Sequence, residues 1–572
     1  MIVLVAPPAQ SKRATGARQA LIAVAQVRLM ILLLLFAAAV LVVLGRLAFL
    51  AWSASPATSV DAAAALVPLR GDIVDRNGAP LARTIDAWSI AIHPDRVISD
   101  KGELARKLAQ LMPDKSAADY LRILESGSSF AYLQKRAMPE LVRDVNALGE
   151  PAMDFIRVPE RLYPQSSLAA YVLGFLGVPR AERDVVKGVR GMERFLEQRL
   201  TDPATRGQPA VLSIDLRVQA ALENELAQAM TSFKAEGAAG VILDVRTGEV
   251  MAMVSLPSFN PNRLAGPPPP NTVTQNVYEL GSTFKPIAMA AAIDSGTVTS
   301  MSRRFDATEP VKIGRFTIRD DHPQKRWLNI PETLIYSSNI ATAKIAEAMG
   351  REPLESMFRK LHFDRRMPIE IEAGGTIWPA YWGDTTTMTT AYGHGIAVTP
   401  LHLACAYAAL VNGGLWRPAT LMKVTGDPAA GERVISEATS ARVRQLMRLV
   451  VLDGTGKHAD APGYRVGGKT GTAEKPGKSG YSANKNVSTF AAAFPMDAPR
   501  YVVIAMLDSP IGNAESAGQR TAGWTAAPIV SRVIMRTGPM LGVRPDSGRD
   551  IDVRELLPLI WHAPHETEVQ GQ

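Results

Sequence analysis

The sequence predicts an α+β fold, an antiparallel sheet with helical cover, and three observations carry that expectation. Two short apolar runs, Ala239 to Leu243 and Val250 to Val254, flank the turn Asp244-Val245-Arg246-Thr247-Gly248-Glu249 and read as a β-hairpin. Much later come strand-like Tyr464 to Val466 and two further strand patterns, Ser488 to Phe494 and Tyr501 to Leu507, the last two joined by Met496-Asp497-Ala498-Pro499. Between these groups the periodicity is helical, so strands sit at both ends of one domain and helices fill its middle.

Composition bounds the rest. At 572 residues, 47% apolar and 21% charged, the chain has room for two or three folded domains. Its formal charge of +8 is scattered and no nucleic-acid motif accompanies it, so nucleic acid is not an expected partner. Cys405 is the only cysteine, which excludes an intramolecular disulfide and a cysteine-rich metal site; it lies in the apolar run Leu401 to Val411 and reads as a small core residue. The eight histidines show no zinc spacing, and Asp320-Asp321-His322 reads as a surface turn before Pro323. No metal or cofactor is expected.

In chain order, residues 1–28 form a basic tail with Lys12, Arg13, Arg18 and Arg28 and no acid, and 29–52 an apolar segment long enough to span a bilayer. The positive-inside rule keeps the tail cytoplasmic and sends the rest outside. The small residues Ser53-Ala54-Ser55 resemble a cleavage site, but the apolar run is longer than a signal peptide needs, so an uncleaved anchor is preferred. Residues 53–210 open on an Ala/Ser-rich spacer, turn at Asn77-Gly78, and continue through helical Gly102 to Met112 and Ala117 to Ser126 to strand-like Phe155 to Val158. This part carries no catalytic constellation and reads as a spacer domain. The main domain spans 211–542. Asp215 caps a helix with the stripe Val218, Leu222, Leu226, Met230 and Phe233, which Gly237 ends. Helices Glu332 to Tyr336 and Ile340 to Met349 meet through Ser337-Ser338-Asn339, and a helix from about Thr525 to Met535 closes the domain. Residues 543–572 are a polar tail.

The chemistry centres on Gly281-Ser282-Thr283-Phe284-Lys285. A glycine, a serine at a helix start and a lysine three residues on place a hydroxyl and an amine on one face, a nucleophile beside a base. The lysine serves only if burial or a second cation leaves it neutral. The same spacing at Ser482-Ala483-Asn484-Lys485 lies in a polar loop and carries no chemistry. A rival string, Gly463 to Thr470, matches the phosphate-loop pattern G-x-x-x-x-G-K-[ST], but that loop needs a strand before it and a helix after it. The Gly/Pro-rich Pro476 to Gly480 forbids the helix, and a nucleotide hydrolase is set aside.

Ser282-x-x-Lys285, Ser337-x-Asn339 and Lys469-Thr470-Gly471, in that order and at a helix start, a helix junction and an edge strand, form the motif set of β-lactamases and penicillin-binding proteins. On these residues the chain resembles a class B penicillin-binding protein, a peptidoglycan D,D-transpeptidase, and is most similar to the cell-division FtsI type. Arg70 to Ala82, Gly188 to Glu193 and Tyr392 to Pro400 also match family elements; Leu280 and Ser338 depart from it without removing a reacting group. The resemblance implies a penicillin-binding transpeptidase domain on a dimerisation-like pedestal. It implies Ser282 as acylating nucleophile, Lys285 as its base, kept neutral by burial and by the charge of Lys469, and Ser337 as proton relay. Asn339 would hold the donor stem peptide, Lys469, Thr470, Gly471 and Thr472 would bind its carboxylate, and the amides of Ser282 and Thr472 would form an oxyanion hole. Partners so implied are stem peptides on lipid-linked nascent glycan, β-lactams, the membrane, a SEDS-type glycosyltransferase and other divisome proteins, with the catalytic domain periplasmic on a single-pass inner-membrane anchor. Other readings are an elongation-type relative, a catalytically idle scaffold or β-lactam sensor, and a secreted β-lactamase, for which anchor and pedestal would have no purpose.

Overall fold

The computed structural model describes residues 26–46, 69–178, 186–314, 316–477 and 480–561, and the chain divides into two compact units, Met1–Ala65 and Leu66–Gln572. Among the described residues of the first unit there is one helix, Gln26–Arg46, with a mean hydropathy of 3.0 over its most apolar 18 residues. Its 21 residues rise about 32 Å, enough to cross the hydrocarbon of a bilayer. The basic residues before Gln26, the end of the expected span at 47–52 and the Ala/Ser-rich spacer lie outside the described residues.

The second unit begins with a sheet built on the long strand Pro80–Ile92, which pairs antiparallel with Met153–Leu162 from Arg83 to Ile92 and with Ala131–Ala137 at its far end. The turn before it is set by Asp75, whose Oδ1 accepts the Asn77 and Ala79 N–H groups at 2.8 Å, with Gly78 at φ +88° as the Asn-Gly signal requires. Helices Lys101–Leu111 and Ala117–Leu124, capped by Asp100 and by a Ser116–Asp119 capping box, bury Leu104, Leu108, Tyr120 and Leu124 against Ile90 and Ile92. Ala131–Ala137 escapes the sequence reading because its polar residues mask the alternation. At the foot of this part Glu193, with no exposure, accepts from Arg70 Nε at 3.2 Å and Arg161 Nε at 2.7 Å.

The main sheet follows the order expected from the two strand groups. After α1 (Leu216–Ser232) come β1 (Gly237–Asp244) and β2 (Val250–Leu256); near the end of the chain come β3 (Gly467–Gly477), β4 (Gly480–Phe494) and β5 (Tyr501–Asp508). The sheet is five-stranded and antiparallel, in the order β3-β4-β5-β1-β2. Because β1 and β5 are covered on both faces, they read as continuous apolar runs. Ile242, Val503 and Ala505 pack with Val218 and Leu222 of α1 and with α7 (Ala526–Thr537), while Val241 and Ile504 face the other core. On that side lie α2 (Lys285–Asp294), α3 (Ile330–Ile335), α4 (Asn339–Met349), α5 (Pro400–Val411) and α6 (Glu437–Leu452). Every residue of α5 is buried, Cys405 included, so α5 is the central helix of the domain.

Four expectations need correction. Gly237 does not end α1: Lys234, at φ +46°, turns the chain, and Gly237 opens β1. The strand expected at Tyr464 to Val466 starts only at Gly467, because Arg465 sits at φ +50° and breaks extension. The expected polar loop around Pro476 to Lys485 is the tip of a long hairpin, with Gly477 paired to Gly480 and Lys475 to Ser482. The tail expected to be only polar is packed between residues 543 and 561: Val543, Leu556 and Ile560 are buried, and Asp550 accepts from buried Arg448.

Candidate active site

Gly281–Phe284 form one 3-10 turn that runs directly into α2, and the Lys285 N–H donates to the Ser282 carbonyl. Ser282 and Lys285 therefore stand on one face as their spacing predicts. The turn is held by close packing. Gly393, at φ +83°, lies so near that a Cβ there would come 2.2 Å from the Gly281 carbonyl oxygen, and a Cβ on Gly471 would come 2.4 Å from that of Leu280. From α5, the buried Tyr407 hydroxyl donates to the Thr283 carbonyl at 2.8 Å. The Gly395 N–H donates to Glu279 at 2.9 Å, and Tyr278 bridges Val398. The Tyr392 to Pro400 string is thus the buttress of the nucleophile turn.

Ser337 sits at the junction of α3 and α4 in the left-handed region, φ +57°. A non-glycine residue held there marks a position that its surroundings dictate. Here the surroundings are two buried lysines. Ser337 Oγ accepts from Lys285 Nζ at 3.1 Å and from Lys469 Nζ, reaching across from β3, at 2.9 Å; Lys285 Nζ also donates to the Ser337 carbonyl. Lys469 further donates to Thr470 Oγ1 at 2.9 Å, which lies 2.8 Å from Thr455 Oγ1. The Ala522 N–H donates to Thr472 Oγ1 at 3.0 Å.

Both lysines have no exposed surface. Burial pulls Lys285 down from the ordinary lysine range to about 7, against the opposing pull of Asp320 and Asp321. Lys469 is driven down further, by burial first and then by the charge of Lys285. The sequence reading had both burial and the charge of Lys469 keep Lys285 neutral; in the structure burial is what lowers Lys285, and the repulsion between the two lowers Lys469.

Ser282, Ser337, Thr470 and Thr472 line one cavity of about 160 Å³. Gly471 lies beneath the nucleophile turn, where only a glycine fits. Asn339 stands beside the cavity, its Nδ2 donating to the Arg319 carbonyl at 2.8 Å. The Asp320-Asp321-His322 segment is the exposed bend that the sequence suggests, but it has a role at the site that the sequence does not show. Ser338 Oγ donates to Asp320 Oδ2 at 2.7 Å, the Ile340 N–H donates to Asp320 Oδ1 at 2.9 Å, and Asp321 and His322 line the cavity. Its only signal is a carboxylate eighteen residues from the junction it caps, which no local pattern reveals. Thr455 and Trp524, also on the wall, belong to loops without a motif. The phosphate-loop look-alike ends in β3 with its lysine turned into this site, and Ser482-x-x-Lys485 lies on β4, with Lys485 paired to Glu236. Among the described residues no three His, Cys, Asp or Glu side chains group as a metal would require.

The family model for the penicillin-binding protein transpeptidase domain matches residues 238–534, and that for the penicillin-binding protein dimerisation domain matches 65–208. The chain is 40% identical over 490 residues to a probable peptidoglycan D,D-transpeptidase FtsI of Caulobacter vibrioides, covering 83% of this chain and 82% of the relative. It is 30% identical over 526 residues to the peptidoglycan D,D-transpeptidase FtsI of Escherichia coli, covering 85% and 86%. In fold it is similar to penicillin-binding protein 3 of Mycobacterium tuberculosis, solved with aztreonam, at a TM-score of 0.65 and 24% identity over 85% of this chain and 98% of that one. With the nucleophile turn, the serine between two lysines and both domain matches in hand, the chain belongs to the penicillin-binding protein transpeptidases, as a class B member of the FtsI type.

Proposed function

We propose that the protein is a peptidoglycan D,D-transpeptidase that cross-links stem peptides through a serine acyl-enzyme during septal wall synthesis, and that β-lactams acylate the same serine. The observation that carries the reading is Ser337 Oγ held between Lys285 and Lys469 in the cavity that contains Ser282.

Lys285, neutral near pH 7, accepts the Ser282 proton as Ser282 Oγ attacks the carbonyl of the penultimate D-Ala. The acyl–oxygen bond forms, the peptide C–N bond breaks, and the proton passes through Ser337 to the departing D-Ala amine. An amine from a second stem peptide then attacks the ester, taking the acyl group and returning the proton to Ser282. The terminal carboxylate docks on Lys469, Thr470 and Thr472 along β3, seated by Gly471. A carboxylate there restores the Lys469 charge, and that charge in turn favours neutral Lys285, so substrate arrival arms the base. The backbone of Ser282 and that of Thr472 meet where Gly281 and Gly471 permit close approach, the basis for assigning their amides to the oxyanion hole, at about 3 kcal/mol per donor. Asn339 anchors the Arg319 carbonyl at the site's edge and reaches the donor peptide from there.

Residues 211–542 form the transpeptidase domain and 53–210 its pedestal. The Gln26–Arg46 helix is a single-pass anchor in the inner membrane, with the basic N-terminus cytoplasmic, the catalytic domain periplasmic, and a SEDS-type glycosyltransferase and other divisome proteins as partners. The test pairs a stem pentapeptide ending in D-Ala-D-Ala with an acceptor amine: one D-Ala is released per cross-link, and none by Ser282→Ala. A Ser282→Ala copy that supports growth after depletion of the parent would sink the enzymatic reading in favour of a scaffold. Side-wall placement of a tagged copy without septal enrichment would move the assignment to elongation.

A further inference from the structure

Helix α3 carries Ser337 at its C-terminal end, and at six residues it is too short to hold its place by its own hydrogen bonds. Its position comes from outside. Asn329, Glu332 and Tyr336 stand at i, i+3 and i+7, one face of the helix and its cap, and all three are bonded to the segment Leu559–Trp561. Asn329 Nδ2 donates to the Leu559 carbonyl at 2.5 Å, the Trp561 N–H donates to Glu332 Oε1 at 3.1 Å, and the Tyr336 hydroxyl donates to the Trp561 carbonyl at 3.3 Å. Arg326 closes the arrangement. Its Nη1 lies 2.9 Å from Glu332 Oε1, and its guanidinium lies over both the Trp561 and Tyr336 rings, 4.9 and 5.4 Å from their centroids. Its Nη1 also reaches the Trp327 carbonyl at 3.4 Å, while its Nε and Nη2 find no hydrogen-bond partner among the described residues, so beyond its own chain neighbour it is located by Glu332 and the two rings.

Upstream the segment is fixed at Asp550 by Arg448 and by burial of Leu556 and Ile560. Tyr336 lines the cavity beside Ser337, whereas Arg326 and Trp561 do not.

We infer that the segment Leu559–Trp561, together with Arg326, is a positioning strap for the proton relay: by gripping one face of α3 it keeps Ser337 Oγ between Lys285 and Lys469. Arg326 and Trp561 then govern the rate at which Ser282 is acylated without touching substrate. A shift of about 1 Å at such a relay can lower a rate by about a hundredfold. The inference rests on the serine acyl-enzyme reading.

The test follows acylation of the full chain by a fluorescent penicillin, separating the rate constant from the fraction of protein that labels. Trp561→Pro removes both the N–H to Glu332 and the ring over Arg326, and Ile560, at φ −84° and ψ 121°, already has the extended backbone that a following proline demands. Trp561→Phe keeps both groups. Trp561→Pro should label completely but about tenfold to a hundredfold more slowly, Arg326→Ala about tenfold more slowly, and Trp561→Phe within about twofold of the parent. A Trp561→Pro rate within twofold of the parent overturns the strap. So does a loss confined to the labelled fraction, which marks a merely structural role, or a Trp561→Phe variant as slow as Trp561→Pro. A parent that does not label at all defeats the acyl-enzyme reading itself, a result distinct from failure of the strap, in which the parent labels normally.

Discussion

At the scale of residues, two lysines with no exposed surface share one hydroxyl. Lys285 must be neutral to take a proton, so below its pKa of about 7 the acylation rate should climb about tenfold per pH unit and then level off. Substrates with a carboxylate need Lys469 charged, and because burial and the charge of Lys285 both drive Lys469 down, their rate should fall off again as Lys469 loses its proton, a fall that substrates without a carboxylate do not share. Rates measured from about pH 5.5 to 9.5 test this; a profile with no limb near 7 contradicts the assignment of the base. The same burial has a linkage consequence. With Lys285 lowered in the folded state and near 10.4 when unfolded, the unfolded chain binds more protons between those values, so stability rises with pH across that window. Urea midpoints of the parent should therefore climb between about pH 7 and 9, and Lys285→Met should flatten the climb.

At the scale of elements, the nucleophile turn is shaped by neighbours. Tyr407→Phe leaves the Thr283 carbonyl without its partner, and urea unfolding should show a loss of about 1–3 kcal/mol. Gly471→Ala would force a methyl within 2.4 Å of the Leu280 oxygen, and acylation should drop at least a hundredfold in protein that still folds. The sequence displays the catalytic corners because each lies at a boundary with its own chemistry: glycine then serine at a helix start, small polar residues at a junction, Lys-Thr-Gly along an edge strand. It hides what reaches these corners from afar. Asp320 caps a helix across a turn, Tyr407 touches Thr283 from α5, and Trp561 meets Glu332 from 229 residues downstream, contacts that leave no period or spacing. Element boundaries slipped for a local reason, since Lys234 and Arg465 adopt left-handed backbone that their side chains do not announce.

At the scale of the molecule, a buried carboxylate within the pedestal, Glu193, ties the first sheet through Arg161 to the start of that domain through Arg70. Glu193→Gln would strand the guanidinium groups of Arg70 and Arg161, and melting should report a loss of about 3–5 kcal/mol while the folded fraction keeps its acylation rate. A fall in rate without loss of stability would instead make this joint part of the catalytic machinery. The central claim is that one serine of the whole chain becomes covalently acylated, and intact-mass measurement after incubation with a penicillin tests it most directly. The parent should gain the mass of one β-lactam, on the peptide that contains Ser282, and Ser282→Ala should gain none; an adduct that persists in Ser282→Ala, or a folded parent that gains no mass, contradicts it.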